Sequence, residues 1–273
     1  MKNTARQQAE MLTQSIGCEI EMYNITRSFA AKIASDFFGT HRYANTERRN
    51  GYKTWSAWDA QGREWKFQRD SSILAPDQEQ CELSSPILTY ADVETLQELI
   101  RVLRKAGGRS DCDHRCGCHV HIGANGHTPQ TLRNLANIMA SHEELLISAL
   151  GITKYRIEHY CHTVNPWFVE QLNKKKPTTM AELADIWYEA GGDQRRTYHY
   201  NESRYAMLNY HATFTKGTIE FRLYQFDVPA DGRKNGLNAG QLKAFIQLSL
   251  ALSQMAKDVK TASPKPQQTD NPK

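Results

Sequence analysis

The sequence has no apolar run long enough to cross a membrane. A transmembrane helix needs about 18 or more consecutive apolar residues, and no segment of the 273-residue chain offers one. The chain opens on MKNTARQQAE, which also lacks the apolar core of a secretory signal. We therefore expect a cytoplasmic protein with no membrane partner.

Phosphate-binding glycine loops are absent as well. Neither GxxxxGK[S/T] nor GxGxxG occurs, so a nucleotide would have to be held by metals and side chains. The net charge is only +4, and the basic residues are scattered in short pairs and one triplet, Lys174–Lys176. Nucleic-acid binding usually shows a concentrated basic face, so we expect no nucleic-acid partner.

Cysteines are few, with six in the chain. Cys112, Cys116 and Cys118 lie close to His114 and His119 in sequence, but their spacing is not that of a common zinc module. In a strand, Cys118 and His119 would point to opposite faces and could not easily share a metal. We expect Cys116 and Cys118 to be small, buried, metal-free residues, and zinc binding remains the alternative.

The order of predicted elements indicates an α+β fold. Hydrophobic residues make up 40% of the chain, enough for one large domain. We expect a flexible segment over residues 1–14, a single domain over 15–257, and a disordered tail over 258–273. Strands joined by hairpins and by long helical crossovers favour a curved, largely antiparallel sheet. The pattern predicts a hairpin around Asp59–Gly62, a strand pair over 204–214 and 217–226, helices capped by Thr26 and Thr89, a long helix over 128–150, and a final helix over 235–257.

Three predicted strands carry ligand-type residues at every second position. These positions hold Glu19 and Glu21, then His119 and His121, then Glu220 and Arg222. The positions between them are apolar, as in Cys18, Ile20 and Met22 on the first strand. Because side chains alternate between the faces of a strand, we expect all six polar residues to point to one concave face. Asp70 and Glu82 add two carboxylates from intervening segments.

A metal site explains these pairs better than an ordinary solvated face does. One such pair alone would fit a solvated face, but the polar positions of all three strands are Glu, His or Arg. Glu19 and Glu21 would repel each other unless a cation lay between them. Carboxylates with an imidazole suit Mg²⁺ or Mn²⁺, and the planar fork of Arg222 suits a phosphate. The residues therefore predict metal-assisted phosphoryl transfer.

The motifs together resemble those of the amidoligases. In chain order they are Glu-x-Glu at 19–21, ELSSP at 82–86, CGxHVH at 116–121, RYxxxN at 204–209 and EFR at 220–222. Amidoligases are carboxylate–amine ligases of the glutamine synthetase and glutamate–cysteine ligase superfamily, and the resemblance covers about residues 16–256. It implies a glutamine synthetase-like catalytic domain with helices packed on the outer face of the sheet.

The resemblance also implies a role for each motif residue. Glu21, Asp70 and Glu82 would hold one metal, and Glu19, His119 and Glu220 a second one near the nucleotide phosphates. His121 would lie near the phosphate, while Arg222 would stabilise the γ-phosphoryl group in transfer. Arg204 and Asn209 would face substrate or phosphate. The implied cofactors are ATP and Mg²⁺ or Mn²⁺, and the implied reaction joins a carboxylate to an amine through an acyl phosphate.

Two other functions remain open at this point. One is an inactive or regulatory binding protein on the same fold, which could bind zinc through Cys112, Cys116 and Cys118. The other is a metal-dependent phosphoester hydrolase, which ATP dependence of product formation would distinguish from a ligase. The sequence predicts small-molecule or peptide carboxylate and amine substrates but does not identify either one. It gives no prediction of the oligomeric state.

Overall fold

The computed structural model describes residues 4–226 and 236–266, which form an α+β fold rich in antiparallel strand pairs. This confirms the expected class; its glutamine synthetase-like form stays a prediction. None of the described helices is both long and apolar enough to cross a membrane. The elements are α1 (Thr4–Leu12), β1 (Ile16–Met22), α2 (Arg27–Phe37), β2 (Tyr43–Asn45), β3 (Trp55–Trp58), β4 (Glu64–Gln68), β5 (Cys81–Ser84), α3 (Val93–Lys105), β6 (Cys118–Gly123), α4 (Pro129–Ser141), α5 (Glu143–Ala149), α6 (Lys154–His159), α7 (Pro166–Lys175), α8 (Met180–Gly191), β7 (Leu208–Asn209), α9 (His211–Lys216), β8 (Thr218–Tyr224) and α10 (Ala239–Asp258).

The chain divides into two compact units. Unit I contains residues 15–120 and 224–247, and unit II contains residues 1–14, 121–223 and 248–273. The predicted single domain over 15–257 therefore includes parts of both units, and its boundaries stay a prediction.

Unit I contains a five-stranded antiparallel ladder in the order β2-β3-β4-β5-β1. The hairpin predicted around Asp59 is confirmed as β3 and β4. Asp59 explains its turn, because its carboxylate accepts hydrogen bonds from the backbone N–H groups of Gln61 and Arg63 at 3.0 and 2.9 Å. The same carboxylate also accepts a bond from Trp65 Nε1 at 3.0 Å.

The alternation on β1 separates a core face from a polar face. Cys18, Ile20 and Met22 are at most 2% exposed and belong to the core. Helix α2 begins at its predicted cap, since the Thr26 side chain accepts a hydrogen bond from Phe29 N. This helix packs against β2, β3 and β4. Core packing thus fixes the register of β1 and the positions of its two glutamates on the other face.

Unit II is mostly helical and contains the β7–β8 ladder, which pairs Leu208 with Phe221 and Asn209 with Glu220. Of the strand predicted over 204–214, only Leu208–Asn209 is a strand, because a 3₁₀ turn ends at Arg204 and α9 begins at His211. Two local features favour the helix over the strand. Asn209 Oδ1 accepts a hydrogen bond from His211 N at 2.8 Å, and Gly217 ends the helix with φ +71°.

The helix predicted over 128–150 is in fact two helices. Helix α4 has Thr128 as its cap, as expected, and ends at Ser141. Ser141 Oγ donates back to the Ile138 carbonyl at 3.0 Å, a contact that bends helices. Helix α5 then begins at Glu143.

Residues of the two predicted terminal segments contact other residues of unit II. Residues Thr4–Leu12 of the 1–14 segment form α1. The final helix, predicted over 235–257, spans Ala239–Asp258, while residue 235 lies outside the described residues. After it, the carbonyls of Val259 and Ala262 accept hydrogen bonds from Asn134 and Asn137. The rest of the predicted tail, residues 267–273, is not among the described residues.

Candidate active site

Three carboxylates of unit I form an acidic cluster, which we define as Glu21, Asp70 and Glu82. The β1–β5 register places Glu21 directly opposite Glu82, and Asp70 follows the end of β4 by two residues. Each side chain offers an oxygen, and these oxygens all lie within 4.8 Å of one another. The structure therefore brings together the three residues that the resemblance assigns to one metal.

Hydrogen bonds from nearby groups orient the carboxylates of the acidic cluster. Glu21 is 4% exposed, and its Oε2 accepts a bond from Gly117 N at 2.6 Å. Glu82 Oε1 accepts a bond from Ser84 Oγ at 3.2 Å. Asp70 Oδ1 accepts a bond from Ser72 N at 2.7 Å. The cluster is thus held in place by neighbouring backbone and hydroxyl groups.

The electrostatics of the acidic cluster favour a bound cation. Burial raises the pKa of Glu82 well above its usual range, and the negative charges of Glu19, Asp70 and Glu21 raise it further. A divalent ion would offset this repulsion. Because the donors are all carboxylate oxygens, the set fits a hard ion such as Mg²⁺ or Mn²⁺.

Glu19 and His119 lie beside the acidic cluster in unit I. His119 is 3% exposed, and its Nδ1 lies 3.0 Å from Glu19 Oε2. Its Nε2 lies 3.7 Å from Glu21 Oε1. The His119 imidazole thus lies near both glutamates of β1. The alternation of side chains along the strands predicted that these three residues would lie close together.

Unit II contains a second cluster around Glu220, which we call the Glu–Arg cluster and define as Asn209, Glu220 and Arg222. Glu220 is 3% exposed and accepts hydrogen bonds from both other members of the cluster. Asn209 Nδ2 donates to its Oε2 at 2.8 Å, and Arg222 Nη1 donates to its Oε1 at 2.9 Å. This buried carboxylate is therefore paired with the guanidinium of an arginine and the side-chain amide of an asparagine.

The guanidinium of Arg222 is held on several sides. Besides Glu220, it donates from Nε to the Tyr160 carbonyl at 3.2 Å. Its central carbon lies 5.7 Å from the centroid of the Tyr205 ring. The backbone carbonyl of Arg222 accepts a bond from Arg156 Nη2 at 2.7 Å. These contacts fix the plane in which the guanidinium can present N–H groups.

His121 adjoins the Glu–Arg cluster. Its Nδ1 lies 3.0 Å from Thr218 Oγ1, and its Nε2 lies 4.0 Å from Glu220 Oε2. Thr218 precedes Glu220 by two residues on β8, so both side chains lie on the same face. His121 is thus a neighbour of Glu220 within unit II.

Arg204 reaches the same region from a 3₁₀ turn. It donates from Nη1 to the His199 carbonyl at 3.0 Å, and its guanidinium packs against the rings of Tyr200 and Tyr205. Arg204, Asn209 and Glu220 also line a cavity of about 210 Å³ in unit II. The two residues expected to face substrate or phosphate therefore share one cavity with Glu220.

Comparison with known protein families identifies a family that covers most of the chain. A family model described as "putative amidoligase enzyme" matches residues 12–239. The chain belongs to this amidoligase family. No curated protein matches the chain. The family match covers the acidic cluster and the Glu–Arg cluster, and it supports a ligase-type enzyme.

The cysteines of this amidoligase do not assemble a metal site in the part of the chain that is described. No group of three or more potential ligands within 4.8 Å of one another there contains a cysteine. Cys116 and Cys118 are at most 1% exposed, so their predicted burial is confirmed. Burial raises the pKa of the Cys116 thiol well above its usual range, and Glu21 adds to the effect.

Some of the predicted site remains a prediction. The second metal set implied by the resemblance, Glu19, His119 and Glu220, draws on both units, as does the single concave face expected for all six strand residues. The sequence reasoning missed three supporting residues: Gly117, Ser84 and Tyr205. Ser84 could have been found, because it lies on the same face of β5 as Glu82. The other two contact their partners across long sequence separations, which no local pattern encodes.

Proposed function

We propose that this amidoligase is an ATP- and Mg²⁺-dependent carboxylate–amine ligase that forms an amide or peptide-type bond through an acyl phosphate. The observation that carries the proposal is the acidic cluster, whose three carboxylates offer oxygens within 4.8 Å of one another. Such a set suits a Mg²⁺ ion that neutralises phosphate charge when bound. Mn²⁺ has similar ligand preferences and is the other candidate ion.

The proposed reaction has two balanced steps. In the first, a carboxylate oxygen of the acid attacks the γ-phosphorus of ATP, and ADP leaves with the electron pair of the broken P–O bond. In the second, the amine nitrogen attacks the acyl carbon, and inorganic phosphate leaves as the amine loses a proton. Neither step needs a nucleophilic side chain from the protein.

Arg222 would act on the phosphoryl group in the first step. The ion pair with Glu220 and the bond to the Tyr160 carbonyl fix its guanidinium, so it needs little reorganisation as charge develops. Asn209 supports the same arrangement by donating to the other oxygen of Glu220. His121, 4.0 Å from Glu220, would assist in binding the nucleotide phosphates.

The substrates would be a carboxylate and an amine from small molecules or peptides, with no nucleic acid or membrane involved. Arg204 lines the 210 Å³ cavity that also contains Asn209 and Glu220. A guanidinium in that position is suited to bind a carboxylate. The cytoplasm, where ATP is plentiful, is the compartment we propose.

A substrate screen tests the proposal. Purified protein is incubated with ATP, Mg²⁺ and pooled amino acids, peptides and polyamines, and ADP release is measured with each pool alone and with acid and amine pools together. We expect ADP release that requires both. Release that needs neither would support a phosphohydrolase instead. Failure of calorimetry to detect Mg²⁺-ATP binding would contradict the ligase proposal.

A further inference from the structure

Unit II contains a second, larger cavity that the reaction described above does not use. Its volume is about 450 Å³, more than twice that of the cavity lined by Arg204. Its walls include the aromatic side chains of Phe168, Trp187 and Tyr205 and the aliphatic side chain of Leu208. A space of this size is at the lower end of the range for small-molecule pockets.

The walls of this cavity are built by specific contacts. Trp187 Nε1 donates to Ser203 Oγ at 2.9 Å, so its polar group is satisfied within the wall. A Cβ on Gly191 would lie 2.6 Å from Ser203 Cβ, and only glycine permits this close approach. His162 and Ala206, which both line the cavity, form a parallel bridge. These contacts leave an interior suited to an apolar group.

Charge distinguishes the two cavities of unit II. Among the residues lining the larger one, Glu202 is the only Asp, Glu, Lys or Arg. The smaller cavity, by contrast, is lined by Arg204 and Lys216 in addition to Glu220. A carboxylate ligand would therefore be disfavoured in the larger cavity, and an ammonium group near Glu202 would be favoured.

The larger cavity adjoins the residues that hold Arg222. Tyr205 lines the cavity, and its ring lies 5.7 Å from the Arg222 guanidinium carbon. His162 also lines it, two residues after Tyr160, whose carbonyl accepts a bond from Arg222. Two segments of chain thus form both the cavity wall and the surroundings of the proposed phosphoryl-binding arginine.

We propose that the larger cavity binds the amine substrate, and that this amine carries an aromatic or branched apolar group. The apolar group would occupy the space between Phe168, Trp187 and Tyr205, and the protonated amine nitrogen would lie near Glu202 when it binds. The nitrogen would release this proton to water before it attacks the acyl carbon as a neutral amine. The assignment as substrate rests on the proposed ligase function. Binding of such an amine to the cavity can be measured without ATP.

Three small probes of similar shape and different charge test the inference by calorimetry. They are 2-phenylethylamine, 2-phenylethanol and phenylacetate. We expect the amine to bind about fivefold more tightly than the alcohol, the scale of an exposed ion pair, and phenylacetate to bind most weakly. Glu202→Gln should remove the preference for the amine over the alcohol. Glu170→Gln, an exposed change on α7 outside the cavity lining, should leave it intact.

A second variant tests occupancy of the cavity itself. Ala206→Trp would place a large side chain in the cavity and should abolish binding of all three probes, with circular dichroism confirming the fold. Failure of the wild-type protein to bind either 2-phenylethylamine or 2-phenylethanol would overturn the inference. So would an amine preference that survives Glu202→Gln.

Turnover measurements distinguish a failure of this inference from a failure of the ligase proposal. With an active acid substrate, amines bearing apolar groups should give higher kcat/KM than ethanolamine, and Ala206→Trp should reverse that order. An active ligase whose preferred amines are small and polar would overturn the inference while the ligase function stands. Probe binding without any Mg²⁺-ATP binding would contradict the ligase function and leave the cavity's preference for apolar amines supported.

Discussion

The carboxylates of the two clusters lie in different electrostatic surroundings. In unit I, Glu21, Asp70 and Glu82 offer carboxylate oxygens within 4.8 Å of one another. In unit II, Glu220 is paired with Arg222 at 2.9 Å and with Asn209 at 2.8 Å. The first arrangement suits the metal ion of the proposed reaction, whereas in the second an arginine of the protein pairs with the glutamate.

In the proposed reaction, the two clusters would therefore have different roles. The acidic cluster can hold a metal that neutralises phosphate charge. The Glu–Arg cluster keeps a guanidinium at a fixed orientation, where it can meet negative charge as the phosphoryl group is transferred. Substitutions in the Glu–Arg cluster should therefore lower turnover, whereas substitutions in the acidic cluster should weaken Mg²⁺ binding.

The largest effect is expected in the Glu–Arg cluster. Arg222→Lys keeps the charge but loses the planar fork, and Glu220→Gln keeps the shape but loses the ion pair. Each should lower turnover by about 10²–10³-fold, the scale for removing one preorganised electrostatic partner. Steady-state ADP release with an acid and an amine measures it. Arg196→Lys, an exposed arginine paired with Asp185, is the matched control. Wild-type rates in both cluster variants would refute the assignment of these residues.

A smaller effect is expected in the acidic cluster. Glu82→Gln removes one negative oxygen ligand and should weaken Mg²⁺ binding at least about tenfold, while the contacts around Arg222 stay unchanged. Calorimetric titration with Mg²⁺ measures this. Glu94→Gln, an exposed change on α3, controls for net charge. Equal affinity in Glu82→Gln and wild type would show that this cluster is not a metal site.

The smallest expected effect is on the folding stability of the metal-free protein. Because burial and neighbouring carboxylates raise the pKa of Glu82 from its ordinary 4.5, the ionised side chain is disfavoured in the folded state. Stability should therefore fall as pH rises above about 4.5, until the raised pKa is passed. Glu82→Gln should reduce this fall and make the metal-free protein more stable than wild type at pH 7.

Urea unfolding in EDTA from pH 4 to 8 measures that effect, and added Mg²⁺ should reverse the order of the two proteins. The same pH slope in both proteins would contradict the idea that Glu82 lies in a repulsive cluster. The arginine-paired Glu220 provides the comparison, since Glu220→Gln should destabilise the protein by leaving the Arg222 charge without its partner.

Period-two alternation made the proximity within each unit predictable, because it places Glu19 with Glu21 and Glu220 with Arg222 on shared faces. It could not predict that α9 replaces a strand after Asn209, since Tyr210, Thr213 and Phe214 all favour strands. The helix start is favoured instead by the Asn209 side chain, which accepts a hydrogen bond from His211 N. It also could not predict that Tyr205 packs against Arg222. That contact depends on how distant segments fold together.

Transfer of an oxygen isotope tests the central claim most directly. The acid substrate identified by the screen is labelled with ¹⁸O in its carboxylate and converted with ATP, Mg²⁺ and the amine. An acyl phosphate intermediate transfers one carboxylate oxygen to inorganic phosphate, so we predict one ¹⁸O atom in the released phosphate for each amide formed. Label found in AMP, or phosphate that carries none, would contradict the proposed mechanism.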